Sequence, residues 1–63
     1  MPLITVETWE GKSPEQKGRL IEAITEAMVT HFDANPDKTI VVIHENPREN
    51  WGHAGHQASR STG

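Results

Sequence analysis

The sequence predicts an α/β fold, a βαβ subunit with two parallel strands, one long helix and a short C-terminal hairpin. Two segments rich in β-branched residues, at positions 3–9 and 39–45, flank a segment with helical periodicity. Strand, helix and strand in this order favour a right-handed crossover, which makes the strands parallel. The chain has 63 residues, so we expect a single domain over 1–63.

The first strand is predicted over Leu3–Trp9, and a turn follows it. Ser13-Pro14-Glu15-Gln16 then supplies an N-cap serine, a proline at the first helical position and a glutamine at the capping-box position, which predicts a helix start. Apolar residues recur at spacings of three and four as far as Phe32, and the breaker-rich segment 33–37 ends the pattern. These apolar residues are Leu20, Ile21, Ile24, Ala27, Met28 and Phe32.

The second strand is predicted over 39–45, and its nearly continuous apolar centre indicates burial on both faces. After Pro47 the chain is short, glycine-punctuated and carries one large aromatic residue. This pattern predicts a small hairpin or an arm that grips a neighbouring subunit. The small and polar residues 58–63 are predicted to form a frayed tail.

Two strands and one helix make a small core. One helix covers only one face of the sheet, so the other face and both edges need partners. A chain near 60 residues is marginal alone, and this one has no cysteine to form a disulfide. The architecture therefore predicts a homo-oligomer.

Charge and composition exclude several classes of partner. The net charge is -3, and the six basic residues are scattered along the chain, so we expect no nucleic-acid partner. The sequence has neither a signal-peptide pattern nor a run of about 20 apolar residues, so we expect no membrane partner and a cytoplasmic location.

The chain begins with Met1-Pro2. A small penultimate residue generally permits removal of the initiator methionine, so we expect Met1 to be absent from the mature protein. The exposed prolyl amine can then act as a base or a nucleophile, which no amide nitrogen can do. The alternative interpretation is a proline that only starts a strand through its fixed φ and missing N–H.

The order and spacing of these features resemble those of the 4-oxalocrotonate tautomerase family, over nearly the whole chain. The resemblance rests on Met1-Pro2, on 10–17 (EGKSPEQK), on the helix, on the strand 41–45 (VVIHE) and on 50–52 (NWG). It implies small βαβ subunits that assemble, typically as hexamers, with the amino-terminal proline in a pocket between subunits. It also implies cofactor-independent keto-enol tautomerisation of a small 2-hydroxydienoate or enol keto acid, as in aromatic degradation.

The resemblance also implies roles for single residues. Pro2 corresponds to the general base, and Lys12 stands where the family carries an arginine that binds the substrate carboxylate. Lysine keeps that charge but lacks the bidentate fork. Trp51 corresponds to an aromatic wall of the pocket, and Trp9 to a residue at its border. Interface packing is the alternative interpretation of Trp51 and is compatible with that role, whereas packing alone is the simpler interpretation of Trp9.

Two positions depart from the family pattern or extend it. Ile40 stands at or next to the position of a second arginine, and an apolar side chain cannot stabilise a developing enolate. Another residue must take that role, or the preferred substrate must differ. His53 lies near the position where dehalogenase relatives carry a water-activating acid, so it is a candidate accessory base. An exposed hairpin histidine is the simpler interpretation.

Three alternatives stay open at the level of the sequence. The chain can be a dehalogenase- or hydratase-type member of the same superfamily. It can be a catalytically inactive oligomeric module if Met1 is retained. It can also use its histidine-rich hairpin to bind a small ligand or a metal, but the four histidines show no spacing typical of a metal site, so we predict no metal and no cofactor.

Overall fold

The structure is a computed structural model, and it describes residues 1–58 as a βαβ unit followed by a hairpin. The predicted fold class is confirmed. Single 3-10 turns at Pro36–Lys38 and Arg48–Asn50 precede and follow the second strand. The elements in chain order are β1 (Leu3–Trp9), α1 (Pro14–Phe32), β2 (Ile40–Asn46), β3 (Gly52–His53) and β4 (His56–Gln57).

The two long strands pair in parallel over their whole length. The register runs from Leu3 opposite Ile40 to Trp9 opposite Asn46. Further backbone bonds extend the ladder at both ends, from Ile40 N–H to the Pro2 carbonyl (3.0 Å) and from Glu10 N–H to the Asn46 carbonyl (3.1 Å). Because the strands are parallel, both begin at one edge of the unit and both end at the other.

The helix starts where the capping box predicts. Ser13 Oγ accepts a hydrogen bond from Gln16 N–H (3.1 Å), and Gln16 Oε1 accepts one from Ser13 N–H (3.0 Å). At the C-terminal end Asp33 adopts the left-handed conformation, with φ 56°. An ion pair of 2.6 Å between Lys17 Nζ and Glu45 Oε1 links α1 to β2. The helix thus covers the sheet face that carries Glu45.

The second strand lies one residue later than predicted, at Ile40–Asn46 instead of 39–45. Thr39 is excluded because its N–H donates to the Pro36 carbonyl (3.3 Å) and closes the preceding 3-10 turn. Its hydroxyl also donates to the Asn35 carbonyl (2.8 Å). These local bonds hold Thr39 in the turn.

One face of the sheet is open in the single chain. Alternation along the strands places Leu3 and Glu7 of β1 on this face together with Ile40 and His44 of β2. Leu3 is 62% exposed and Ile40 is 42% exposed. Within one chain, β2 is therefore covered only on the face that packs against α1. The predicted burial of its other face requires another chain.

The predicted hairpin is confirmed as the pairing of β3 with β4. Ala54 and Gly55 connect the strands with φ values of 53° and 82°, the positive pair that a tight two-residue hairpin turn requires. Ala58, which the sequence placed in the frayed tail 58–63, is instead 7% exposed, and its N–H donates to the Trp51 carbonyl (2.7 Å). The rest of that predicted tail lies outside the described residues. Among residues 1–58, no helix has the length and apolar character needed to cross a membrane.

Candidate active site

The predicted site residues lie in two groups at opposite ends of the sheet. Pro2 and Ile40, here called the proline end, lie where the strands begin. Trp9, Lys12 and Trp51 lie where the strands end, and together with Arg48 they form what we call the tryptophan end. β1 separates the two groups by about 23 Å, at roughly 3.3 Å per residue. A small substrate cannot touch Pro2 and Lys12 of the same chain.

The proline end is anchored and apolar. Pro2 is half-buried, and its carbonyl accepts the hydrogen bond from Ile40 N–H. The apolar residues Leu3 and Ile40 follow it and pair with each other across the sheet. Leu3 and Ile40 are exposed in the single chain, so only burial of this end by another subunit would disfavour the charged form of an amine there. While Met1 is attached, that nitrogen is an amide and cannot act as a base.

The tryptophan end is built around a pair of aromatic rings. The centroids of Trp9 and Trp51 lie 6.0 Å apart, and the rings meet edge to face at 83°. The Arg48 guanidinium carbon lies 4.3 Å from the centroid of the Trp9 ring, within cation–π range. Trp9 Nε1 is buried and has no hydrogen-bond partner within the described part of the chain. The structure thus brings the two predicted tryptophans into contact.

A depression of about 430 Å³ lies beside this aromatic pair, and it contains both cations of the tryptophan end. Lys12 reaches it from the turn after β1, in which Gly11 has a φ of 122° that favours glycine. Arg48 reaches it from the 3-10 turn after β2. The lining residues are Thr8, Trp9, Glu10, Gly11, Lys12 and Arg48.

Arg48 was not among the predicted site residues. The signal that would have identified it is its place just beyond β2, since the parallel register sets that segment beside the end of β1. A further bond, from Trp51 N–H to the Arg48 carbonyl (3.1 Å), fixes the turn that carries both residues.

His53 lines a second depression of about 420 Å³, on which both tryptophans also border. His56 and the buried Ala58 lie in the same depression, whereas Lys12 and Arg48 do not. The structure therefore sets His53 near the predicted aromatic wall but in a separate depression from the cations. Within residues 1–58, no group of three or more histidine or acidic residues is arranged to hold a metal ion.

A polar cluster on the open face was also missed from the sequence. Glu7 Oε2 lies 2.5 Å from His44 Nδ1, and Asn46 Nδ2 donates to Glu7 Oε1 (3.1 Å). The hydrogen bond from Asn46 and then the one with His44 lower the pKa of the Glu7 carboxyl below its ordinary value. The pairing of Glu7 opposite His44 in the parallel register is the signal that predicts this contact.

The chain is thus a small α/β subunit, a βαβ unit with a C-terminal hairpin and with candidate site residues at both ends of its sheet. The sequence model of the tautomerase enzyme family matches residues 2–60. The chain is 44% identical over 59 residues to a probable tautomerase, BH3814, of Halalkalibacterium halodurans, an alignment that covers 94% of this chain and 97% of the other. It is also 44% identical to a 2-hydroxymuconate tautomerase of Comamonas testosteroni, with 87% of each chain covered.

Solved structures agree with these sequence matches. A heterohexameric 4-oxalocrotonate tautomerase from Chloroflexus aurantiacus superposes with a TM-score of 0.90 at 30% identity, covering 97% of this chain and 98% of the other. The chain therefore belongs to the tautomerase family. The predicted resemblance and the predicted enzyme class, a tautomerase of the 4-oxalocrotonate tautomerase type, are confirmed.

Proposed function

We propose that this tautomerase converts a small 2-hydroxydienoate or enol keto acid into its keto form without a cofactor, with Pro2 as the general base. The observation that carries the proposal is the position of Pro2 at the start of β1, tied through its carbonyl to Ile40 and set beside apolar side chains. The 2-hydroxymuconate tautomerase activity named for the Comamonas relative supports this substrate class.

The chemistry needs one group that removes a proton and returns it at another atom. A free α-amine has a reference pKa of about 7.7 to 8.0, so a useful fraction is neutral near neutral pH, and apolar surroundings increase that fraction. The neutral Pro2 amine takes the proton from the enol hydroxyl and delivers it to a carbon of the dienoate. Removal of Met1 is required for this step.

The second half of the site comes from another subunit. Pro2 and Lys12 of one chain lie too far apart to share a substrate, and the open sheet face leaves Leu3 and Ile40 exposed. In a homo-oligomer, the tryptophan end of one subunit can meet the proline end of another. This contact brings Lys12 of one chain near Pro2 of the other and covers the exposed Leu3 and Ile40. The heterohexameric relative supports a hexamer as the assembly of these single-domain subunits.

In that assembly each predicted residue has a distinct role. Lys12 binds the carboxylate of the substrate. Trp9 and Trp51 form the wall that excludes water from the Pro2 amine, and Ile40 contributes an apolar surface beside it. Exclusion of water strengthens the electrostatic contacts inside the pocket.

Replacement of Pro2 tests the proposal. Protein whose loss of Met1 has been verified by mass spectrometry is assayed for ketonisation of 2-hydroxymuconate and of phenylenolpyruvate. We expect Pro2→Ala, which replaces the ring-held secondary amine with a freely rotating primary amine, to lower kcat by about 100-fold, the loss that a misplacement of about 1 Å produces. Pro36→Ala, in the 3-10 turn before β2, is the matched control and should retain activity. Undiminished activity of Pro2→Ala would refute the role of the proline.

A hydratase- or dehalogenase-type reaction is the second candidate, and the contact of His53 with the depression beside both tryptophans favours it. A neutral imidazole at that place can activate water for addition to an unsaturated acid. Halide release from a halogenated acrylate, lost in His53→Gln and kept in His31→Gln, would support this candidate. Absence of any halide release from the unaltered protein would exclude it for that substrate.

A further inference from the structure

Two cationic side chains from different parts of the chain meet at the tryptophan end. Lys12 follows β1 and Arg48 follows β2, and both line the depression of about 430 Å³. They meet because the parallel strands end at the same edge, with Trp9 paired opposite Asn46. Glu10 is the one acidic residue among the lining residues, so the cations outnumber the anions there. Such a depression attracts an anionic ligand.

Two contacts hold Arg48 at the aromatic pair. Its guanidinium lies over the Trp9 ring, and Trp9 is in turn held edge to face by Trp51. Its backbone carbonyl accepts from Trp51 N–H at 3.1 Å. A guanidinium carries its N–H donors in one plane, in a fork that matches the two oxygens of a carboxylate.

The proposed reaction needs a group that binds the substrate carboxylate bidentately, and Arg48 can supply it. Lys12 carries a compact charge without the bidentate fork, and Ile40 cannot bind an anion. With these two residues alone, the carboxylate of an enol acid is held by a single point charge. The additional cation must lie near Lys12 to act on the same end of the substrate, and Arg48 lines the same depression.

We propose that Arg48 binds the substrate carboxylate bidentately beside Lys12 and thereby sets the preference of the enzyme for anionic enol acids. This inference rests on the proposed function, since the substrate is the one that Pro2 of another subunit isomerises. Neutral enols, such as the methyl esters of the same acids, lose the contact with Arg48 and are poor substrates.

Binding of adipate, an unreactive six-carbon dicarboxylate, tests the inference without turnover. Calorimetric titration is done on the assembled protein lacking Met1, and the assembly of each variant is checked by sedimentation. Arg48→Gln keeps a planar group that can donate hydrogen bonds but removes the charge, and we expect its Kd for adipate to rise about tenfold or more. Arg48→Lys should give an intermediate Kd, because it keeps the charge without the fork.

Arg19→Gln is the matched control, since it removes an equal charge from the exposed surface of α1. Its Kd should equal that of the unaltered protein. An unchanged Kd in Arg48→Gln, an equal loss in Arg19→Gln, or no measurable binding of adipate to the unaltered protein would overturn the inference. If Arg48→Gln fails to assemble, assembled Arg48→Lys decides, since its affinity drops several-fold if the fork binds and is unchanged if it does not.

Kinetics separate this inference from the proposed function. Pro2→Ala should lose turnover and keep adipate binding. Arg48→Gln should raise KM and lower the ratio of kcat/KM for an enol acid to kcat/KM for its methyl ester. If Pro2→Ala stays active, the assignment of the base fails while the adipate titration still decides the role of Arg48. A rise in KM that is equal for acid and ester would indicate a merely structural role of Arg48.

Discussion

At the scale of single residues, the two ends of the subunit differ in the charge they carry. The apolar residues Leu3 and Ile40 follow Pro2 in the sheet, whereas Lys12 and Arg48 place two cations at the other end. The proposed function needs this difference, because a neutral amine and a bound carboxylate require opposite surroundings. Within that proposal, the apolar residue at position 40 leaves the carboxylate without one expected partner and favours the neutral base.

Glu7 provides a pH-dependent prediction at this scale. The pKa of its carboxyl is lowered in the folded protein, first by the hydrogen bond from Asn46 and then by His44. A lowered pKa means that the contribution to stability is present above the ordinary glutamate pKa and is lost as the pH falls through the lower, folded value. Glu7→Gln should therefore be less stable than the unaltered protein at pH 7, and the difference should shrink in acid.

Urea unfolding at fixed protein concentration, at pH 7 and at about pH 3 (below the ordinary glutamate pKa), measures this difference. Glu22→Gln, on the exposed surface of α1, is the control and should show only a small difference at pH 7. A stability difference for Glu7→Gln that persists unchanged at the lower pH would contradict the assigned hydrogen bonds.

At the scale of elements, the sequence predicts what depends on neighbours along the chain. Ser13 and Gln16 determine the start of α1, and the β-branched run determines β1 as Leu3–Trp9. Arg48 was missed because its contact with Trp9 depends on the pairing of β1 with β2, and no local pattern encodes the position of a side chain beyond a strand end. The shift of β2 by one residue also depends on tertiary pairing. Thr39 could pair with β1 or close the preceding 3-10 turn, and in the structure it closes the turn.

The capping box gives a prediction at the scale of the helix. Ser13→Ala removes the acceptor for Gln16 N–H, and we expect it to lower the free energy of unfolding by about 1 kcal/mol. Ser13→Thr keeps a hydroxyl at the N-cap and is the matched control. Urea unfolding at constant protein concentration measures both variants. Equal stability of Ser13→Ala and the unaltered protein would show that the box contributes nothing in the assembly.

At the scale of the whole molecule, the separation of the two ends is the dominant feature. A single chain has one open sheet face, and of its described apolar residues only Ala58 is buried. The sequence predicted this deficit from the count of elements, and the resemblance supplied the candidate site residues other than Arg48. The distance between Pro2 and Lys12 follows from the bounds of β1, which the sequence predicted correctly, because that strand lies between them.

A site shared between subunits predicts complementation. Pro2→Ala and Lys12→Glu should each be much less active, because the first replaces the ring-held secondary amine with a freely rotating primary amine and the second repels the carboxylate. When the two variants are unfolded, mixed in equal amounts and refolded together, sites with an intact Pro2 from one subunit and an intact Lys12 from another should form. Activity should rise to about a quarter of that of the unaltered protein if subunits associate at random.

Refolding of each variant alone is the control for this experiment, and neither should recover activity. A mixture that is no more active than the mean of its two parents would show that Pro2 and Lys12 do not act in a site shared by different chains.

The bond between the Pro2 carbonyl and Ile40 N–H has a consequence for maturation. Met1 is 86% exposed, and it precedes Pro2, whose carbonyl is held by the hydrogen bond from Ile40 N–H. Hydrolysis of one peptide bond would turn the Pro2 nitrogen from an amide into an amine while the strand holds it in place. Under the proposed function, Met1 would thus act as a protecting group in the sense of synthetic chemistry, and its hydrolysis would expose the proposed base without moving the backbone of Pro2.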